Sequence, residues 1–177
     1  MKSLPKLSFS LPLPYRFAMS LSHPSASGQV APKNARFAIV AARFNGAIVD
    51  VLLTGCVRRL ETLGVSPDHL ETHRVPGAFE LPLAAKVLAE TGKFAAIICL
   101  GVVIRGDTPH FDFVAGEAAR GIQSVSLAAS SPVIFGVLTT ENEEQARQRS
   151  GGSHGNAGER AAEAAVEMAG FVARVRG

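Results

Sequence analysis

From Arg36 onward, short runs of β-branched and other apolar residues alternate with stretches whose apolar positions recur every three or four residues. The first pattern predicts strands and the second amphipathic helices. The strands are RFAIVAA (36–42), HLETHRV (69–75), AAIICLGVV (95–103) and VIFGVLT (133–139). The third carries no charged or amide side chain, as befits a strand buried on both faces, whereas the second alternates and belongs at a sheet edge. Between the first two, Ile48, Leu52, Cys56, Leu60 and Leu63 mark a helix that Gly64 ends. FELPLAAKVLAETG (79–92) is a second helix. A third runs from about Asp112 to Ala129, with Val114, Ala118, Ile122 and Val125 on one face. NEEQARQR (142–149) and ERAAEAAVEMAGFVARV (159–175) supply two more. This alternation predicts a three-layer α/β/α sandwich around four parallel strands, with right-handed crossovers setting helices on both faces.

The 177 residues, 47% of them hydrophobic, suit one domain with a sizeable core. A pI near 9.2 points toward nucleic acid or a membrane surface until the charges are located. Residues 1–35 hold Lys2, Lys6, Arg16 and Lys33 and no acid, a charge of +4; the remaining 14 basic and 15 acidic residues leave −1. The basicity therefore belongs to a Ser- and Pro-rich arm, expected to be disordered and dispensable, and the domain over 36–177 is not a nucleic-acid binder. A transit peptide is the minority reading of that arm, and Met19 is an alternative start. No apolar run approaches the roughly 20 residues of a membrane span. Cys56 and Cys99 lie in apolar runs, where buried free thiols are the commoner outcome, and imply a reducing, cytoplasmic setting.

In open parallel sheets ligands bind beyond the carboxyl ends of the strands, so chemistry belongs in the segments that follow them. These are ARFN (42–45), VPGAFE (75–80), IRGDTPHFD (104–112) and LTTEN (138–142). In the third, Gly106 permits a turn, and Asp107 and Thr108 offer amides and a hydroxyl ahead of a helix, either as an anion cradle or as an ordinary strand-to-helix connection. His110 can exchange protons near neutral pH or simply pack at the helix entry. Its neighbours Asp107 and Asp112 lack a second His or Cys to complete a metal site. Phe44 and Phe79 stand where an aromatic face meets a planar ligand, although a core role is commoner. Glu80 is a helix-dipole partner or a hydroxyl acceptor. The Gly-rich SGGSHGNAG after Arg149 lacks the ending of a nucleotide P-loop and reads by default as a hinge between helices.

Taken together and in order, ARFN, VPGAFELP, GVVIRGDTPHFDFVAGEAARGI, VIFGVLTTENEEQA and AAVEMA resemble the 6,7-dimethyl-8-ribityllumazine synthases of riboflavin biosynthesis, from about Arg36 to Met168. The resemblance implies a flavodoxin-like fold and a condensation of 5-amino-6-(D-ribitylamino)uracil with 3,4-dihydroxy-2-butanone 4-phosphate, without metal or organic cofactor. It assigns the backbone of Val102, Val103 and Ile104 to the pyrimidine, Asp107 and Thr108 to the phosphate, and His110 to proton transfer. It stacks Phe44 on the pyrimidine and sets Ala78, Phe79 and Glu80 along the ring and ribityl chain. Phe135 and Arg149 are expected to reach in from an adjacent subunit of a pentamer, which some members double or close into sixty-subunit shells. The chain departs from the family's TKAGNKG-like segment, with Ser153 and Ala157 at lysine positions. A flavin- or lumazine-binding protein without turnover, or a shell scaffold, are the rival readings.

Overall fold

The computed structural model describes residues 30–177. Of the arm expected over 1–35, residues 1–29 lie outside the described residues. Residues 30–35 lie beside the end of the first helix, where the Ala31 amide donates to the Leu63 carbonyl at 2.9 Å.

Four parallel strands form the sheet: β1 (Phe37–Ala42), β2 (Leu70–Val75), β3 (Ala96–Ile104) and β4 (Val133–Thr140), in the order β2-β1-β3-β4. The expected boundaries hold to within a residue. β1 and most of β3 are fully buried, because both sheet faces are covered, while β2 is half-exposed at its edge. Helices α1 (Gly46–Thr62) and α5 (Ala157–Arg176) cover one face, and α2 (Leu81–Glu90) and α3 (His110–Ala128) the other. This is the α/β/α sandwich the alternation predicts.

The α1/α5 face is closed by close backbone approach. A side chain on Gly158 would collide with the Leu52 carbonyl oxygen, and one on Gly55 with the Asn156 amide group. Asn156 locks the same contact, donating to the Val51 carbonyl at 3.0 Å and accepting from the Gly158 amide at 2.8 Å. That second bond also caps α5.

The Gly-rich segment differs from the expected hinge. After α4 (Glu143–Arg149) it forms an antiparallel hairpin, β5 (Ser150–Gly152) with β6 (Gly155–Asn156). Left-handed backbone at Gly151 and Gly155 makes so tight a reversal possible. Its strands are too short and too poor in side chains to give an alternating pattern.

Candidate active site

The sheet order fixes where a crevice must open. The chain leaves β1 toward β2 on one side and β3 toward β4 on the other, so the connections diverge between the carboxyl ends of β1 and β3. A cavity of about 650 Å³ lies there.

From β1, the parallel pairing runs on past the strand, with Arg43 and Phe44 amides donating to Val75 and Pro76 carbonyls at 2.8 and 3.0 Å. This holds the Phe44 ring at the cavity wall, 72% exposed. The next residue, Asn45, adopts left-handed backbone (φ 56°) to turn the chain into α1, and its side-chain amide donates to the Val102 carbonyl at 3.0 Å. Asn45 thereby ties the Phe44 platform to the end of β3. Its part is tertiary and invisible in the ARFN pattern.

After β2, a single 3₁₀ turn carries Ala78, Phe79 and Glu80 to the same cavity. Ala78 is buried and the Phe79 ring exposed. The Glu80 carboxylate accepts from the Gly77 amide at 2.8 Å, so the observed role is a local cap on this turn.

From β3, Val102, Val103 and Ile104 line the floor, followed by Gly106, Thr108 and His110. Helix α3 begins at His110, two residues before the expected start, because Pro109 already has helical backbone (φ −63°) and accepts from the Asp112 amide at 3.0 Å. His110 is thus the first helical residue, exposed at the cavity rim. Gly106 needs no left-handed conformation, contrary to the turning role read from the sequence, and a side chain there would meet nothing within 4 Å.

Arg105 organises this turn. Its guanidinium donates to both Asp112 carboxylate oxygens, at 3.0 and 3.3 Å, pairs through Nε with Glu141 at 2.9 Å, and lies 4.1 Å from the Phe111 ring centre. The Asp112 hydrogen bonds, helped by Glu141, hold its pKa above the ordinary guanidinium value. Sequence reading missed this residue, since its partner Glu141 belongs to a different segment, brought near only by the fold.

Nine of the expected site residues therefore line one cavity: Phe44, Ala78, Phe79, Glu80, Val102, Val103, Ile104, Thr108 and His110. Phe111 and Phe113 line it too. Three do not line it. Asp107 is exposed on the turn with no part in the wall, Phe135 sits on the edge strand β4, and Arg149 ends α4, its guanidinium donating to the Gln145 carbonyl at 3.0 Å. Cys56 and Cys99 are buried and free, and burial pushes both thiols up to about 12. Among the described residues no cluster of three or more His, Cys, Asp or Glu stands ready to hold a metal. Nor is any helix among them long and apolar enough to cross a membrane.

An α/β/α sandwich with an aromatic-walled, ligand-sized crevice at its strand-order switch point defines a flavodoxin-like protein with a small-molecule site. The comparisons with known proteins narrow the class. The 6,7-dimethyl-8-ribityllumazine synthase family profile matches residues 34–173. The 6,7-dimethyl-8-ribityllumazine synthases of Yersinia pestis (strain Pestoides F) and Yersinia pseudotuberculosis serotype O:1b (strain IP 31758) are each 51% identical over 151 residues, 85% of this chain and 97% of the relative. The chain belongs to the 6,7-dimethyl-8-ribityllumazine synthase family.

Proposed function

We propose that this protein is a transferase of riboflavin biosynthesis that condenses 5-amino-6-(D-ribitylamino)uracil with 3,4-dihydroxy-2-butanone 4-phosphate. The observation that carries this reading is the convergence, in one 650 Å³ crevice, of exposed aromatic rings, the end of β3 and His110. A planar pyrimidine stacks on Phe44, with the backbone of Val102 to Ile104 along its edge and Ala78, Phe79 and Glu80 beside the ribityl chain. The pyrimidine's 5-amino nitrogen attacks the ketone carbon; a new C–N bond forms and water leaves as the imine is made. Loss of the proton on the hydroxyl-bearing carbon then expels phosphate and leaves an enol; reprotonation at its terminal carbon gives a methyl ketone, and attack of the ribitylamino nitrogen on that carbonyl closes the second ring with release of another water. Every step moves a proton, which the His110 imidazole at the rim accepts and returns. The Thr108 hydroxyl and the N-terminus of α3 suit the departing phosphate, with Asp107 contributing on the same turn. No step calls for a metal or an organic cofactor.

The active form is read as a pentamer or a multiple of it, with Phe135 and Arg149 of a neighbouring copy completing each crevice. The exposure of Phe135 outside its own cavity and the half-buried place of Arg149 beyond that cavity support this, as do the apolar residues Leu83, Val87, Leu127 and Phe171 left on the surface. Residues 36–177 form the working domain, and the arm takes no part in the chemistry. Two buried free thiols fit a cytoplasmic setting.

The test is turnover with both substrates, followed by lumazine fluorescence and phosphate release. Both signals are expected in equal amounts; tight lumazine or flavin binding without turnover identifies a binder instead. Arg149→Ala should raise the KM for the butanone phosphate about tenfold or more and leave that for the pyrimidine unchanged, because one charge-assisted phosphate contact is lost.

A further inference from the structure

The turn that presents His110 has little to hold it locally. Residues 105 to 110 are all exposed, Pro109 offers no side-chain cap, and the Thr108 hydroxyl lies 3.5 Å from the His110 amide, the outer limit of a hydrogen bond. Yet a general acid and base must be held to within a fraction of an ångström of the bond it serves, since a 1 Å misplacement costs about a hundredfold in rate.

Arg105 supplies the missing restraint from outside the cavity wall. Its two terminal nitrogens form a fork on Asp112, two residues past His110, and its plane lies over Phe111, the residue next to His110. Its Nε reaches Glu141 in the loop after β4, and its own amide donates to the Thr140 carbonyl at 2.9 Å. The start of α3 is thus fastened to a β4 end whose Thr140 is buried. A fork, a third donor in the same plane and a π-face restrain translation and rotation together. A lysine ammonium, a point charge, cannot do so.

We propose that Arg105 is the positioning residue of this site, fixing through Asp112, Phe111 and Glu141 where His110 presents its imidazole. The inference rests on the reading of His110 as the proton-transfer group. The guanidinium is 37% exposed, and ion pairs at such positions add little to global stability, so its removal leaves the fold intact while loosening the turn.

Steady-state kinetics and thermal unfolding of wild type, Arg105→Ala, Arg105→Lys, His110→Ala and the Arg105→Ala/His110→Ala double variant test this. Arg105→Ala is expected to lower kcat about 10- to 100-fold, keep the pyrimidine KM within about twofold and leave the unfolding midpoint within a few degrees. Arg105→Lys should recover only part of the rate. The double variant should be no slower than His110→Ala alone, because a residue that works through His110 has nothing left to position. Wild-type kcat in Arg105→Ala, full recovery in Arg105→Lys, or losses that multiply in the double variant would each overturn the proposal. Should Arg105→Ala not fold, Asp112→Asn removes one side of the fork; a severalfold loss of kcat supports the proposal and an unchanged kcat defeats it. A wild-type protein that makes no lumazine, or a His110→Ala variant at full speed, removes the functional reading itself. A slow His110→Ala beside a fast Arg105→Ala removes only the role of Arg105.

Discussion

The two faces of the sheet are built to different degrees of completion. On one, α1 and α5 approach so closely that Gly55 and Gly158 have no room for a side chain, and a small-residue stripe of Ala161, Ala162, Ala165 and Ala169 beds α5 on the strands. On the other, α2 buries only Leu81 and Ala85 and α3 only Ala118 and Ile122, and both helices turn large apolar residues outward. Leu83 is 67% and Leu127 78% exposed. The first face is closed by backbone approach and the second is held by fewer buried contacts, while both layers leave large apolar residues outward, Phe171 and Val175 of α5 among them. The crevice opens at the end of the second layer, where Phe79, Phe111 and Phe113 meet it. The scaffold and the site therefore answer to different constraints within one domain.

Substitutions that separate the faces put this contrast at risk. The largest effect is expected on the closed face: Gly158→Val forces a side chain against the Leu52 carbonyl and should cost about 4 kcal/mol or more, read as a fall in the urea midpoint. An unchanged midpoint would show that α1 and α5 separate readily and would erase the contrast. At the crevice, His110→Ala should lower kcat about 10²–10⁴-fold while the urea midpoint stays put, since the side chain is exposed and packs against little. Loss of stability in parallel with rate would make it a packing residue.

On the open face, Leu83→Glu combined with Val87→Glu should change chain stability by less than about 0.5 kcal/mol, as for exposed sites generally. The same pair should shift sedimentation from the proposed pentamer to smaller species; a particle of unchanged size would mean that assembly uses other surfaces. The smallest signal comes from the thiols, which report one face each. Cys56 belongs to the α1/α5 core and Cys99 to the α2/α3 core. With both pushed up to about 12, neither should react with iodoacetamide at pH 8 in the folded protein. In low urea Cys99 should be labelled first, by local opening of the less complete face; labelling in the reverse order would invert the comparison.

Much of this was legible in the sequence because it depends on short-range pattern. The apolar run of β3 and the three-and-four spacing of α1 depend only on which side chains face the core, and their ends fall within a residue or two of expectation. The rule that sites follow strands brought Phe44, Phe79, Ile104 and His110 to one crevice for the same reason. What escaped depends on distant partners or on backbone torsion. Asn45 matters through the Val102 carbonyl, 57 residues away, and Arg105 through Glu141. The β5–β6 hairpin rests on glycine conformations that leave no hydrophobic signature. Phe135 and Arg149 lie outside the crevice of their own chain.

Gly106 carries a last consequence, for engineering. Its φ lies outside the left-handed range, and within the chain a side chain there would meet nothing within 4 Å, although it borders the candidate cavity. A side chain placed there is therefore expected to narrow the mouth of the crevice, or give it new chemistry, at little cost to the folding of the chain. If the crevice binds its ligands as proposed, that position is the natural starting point for redirecting the scaffold to others.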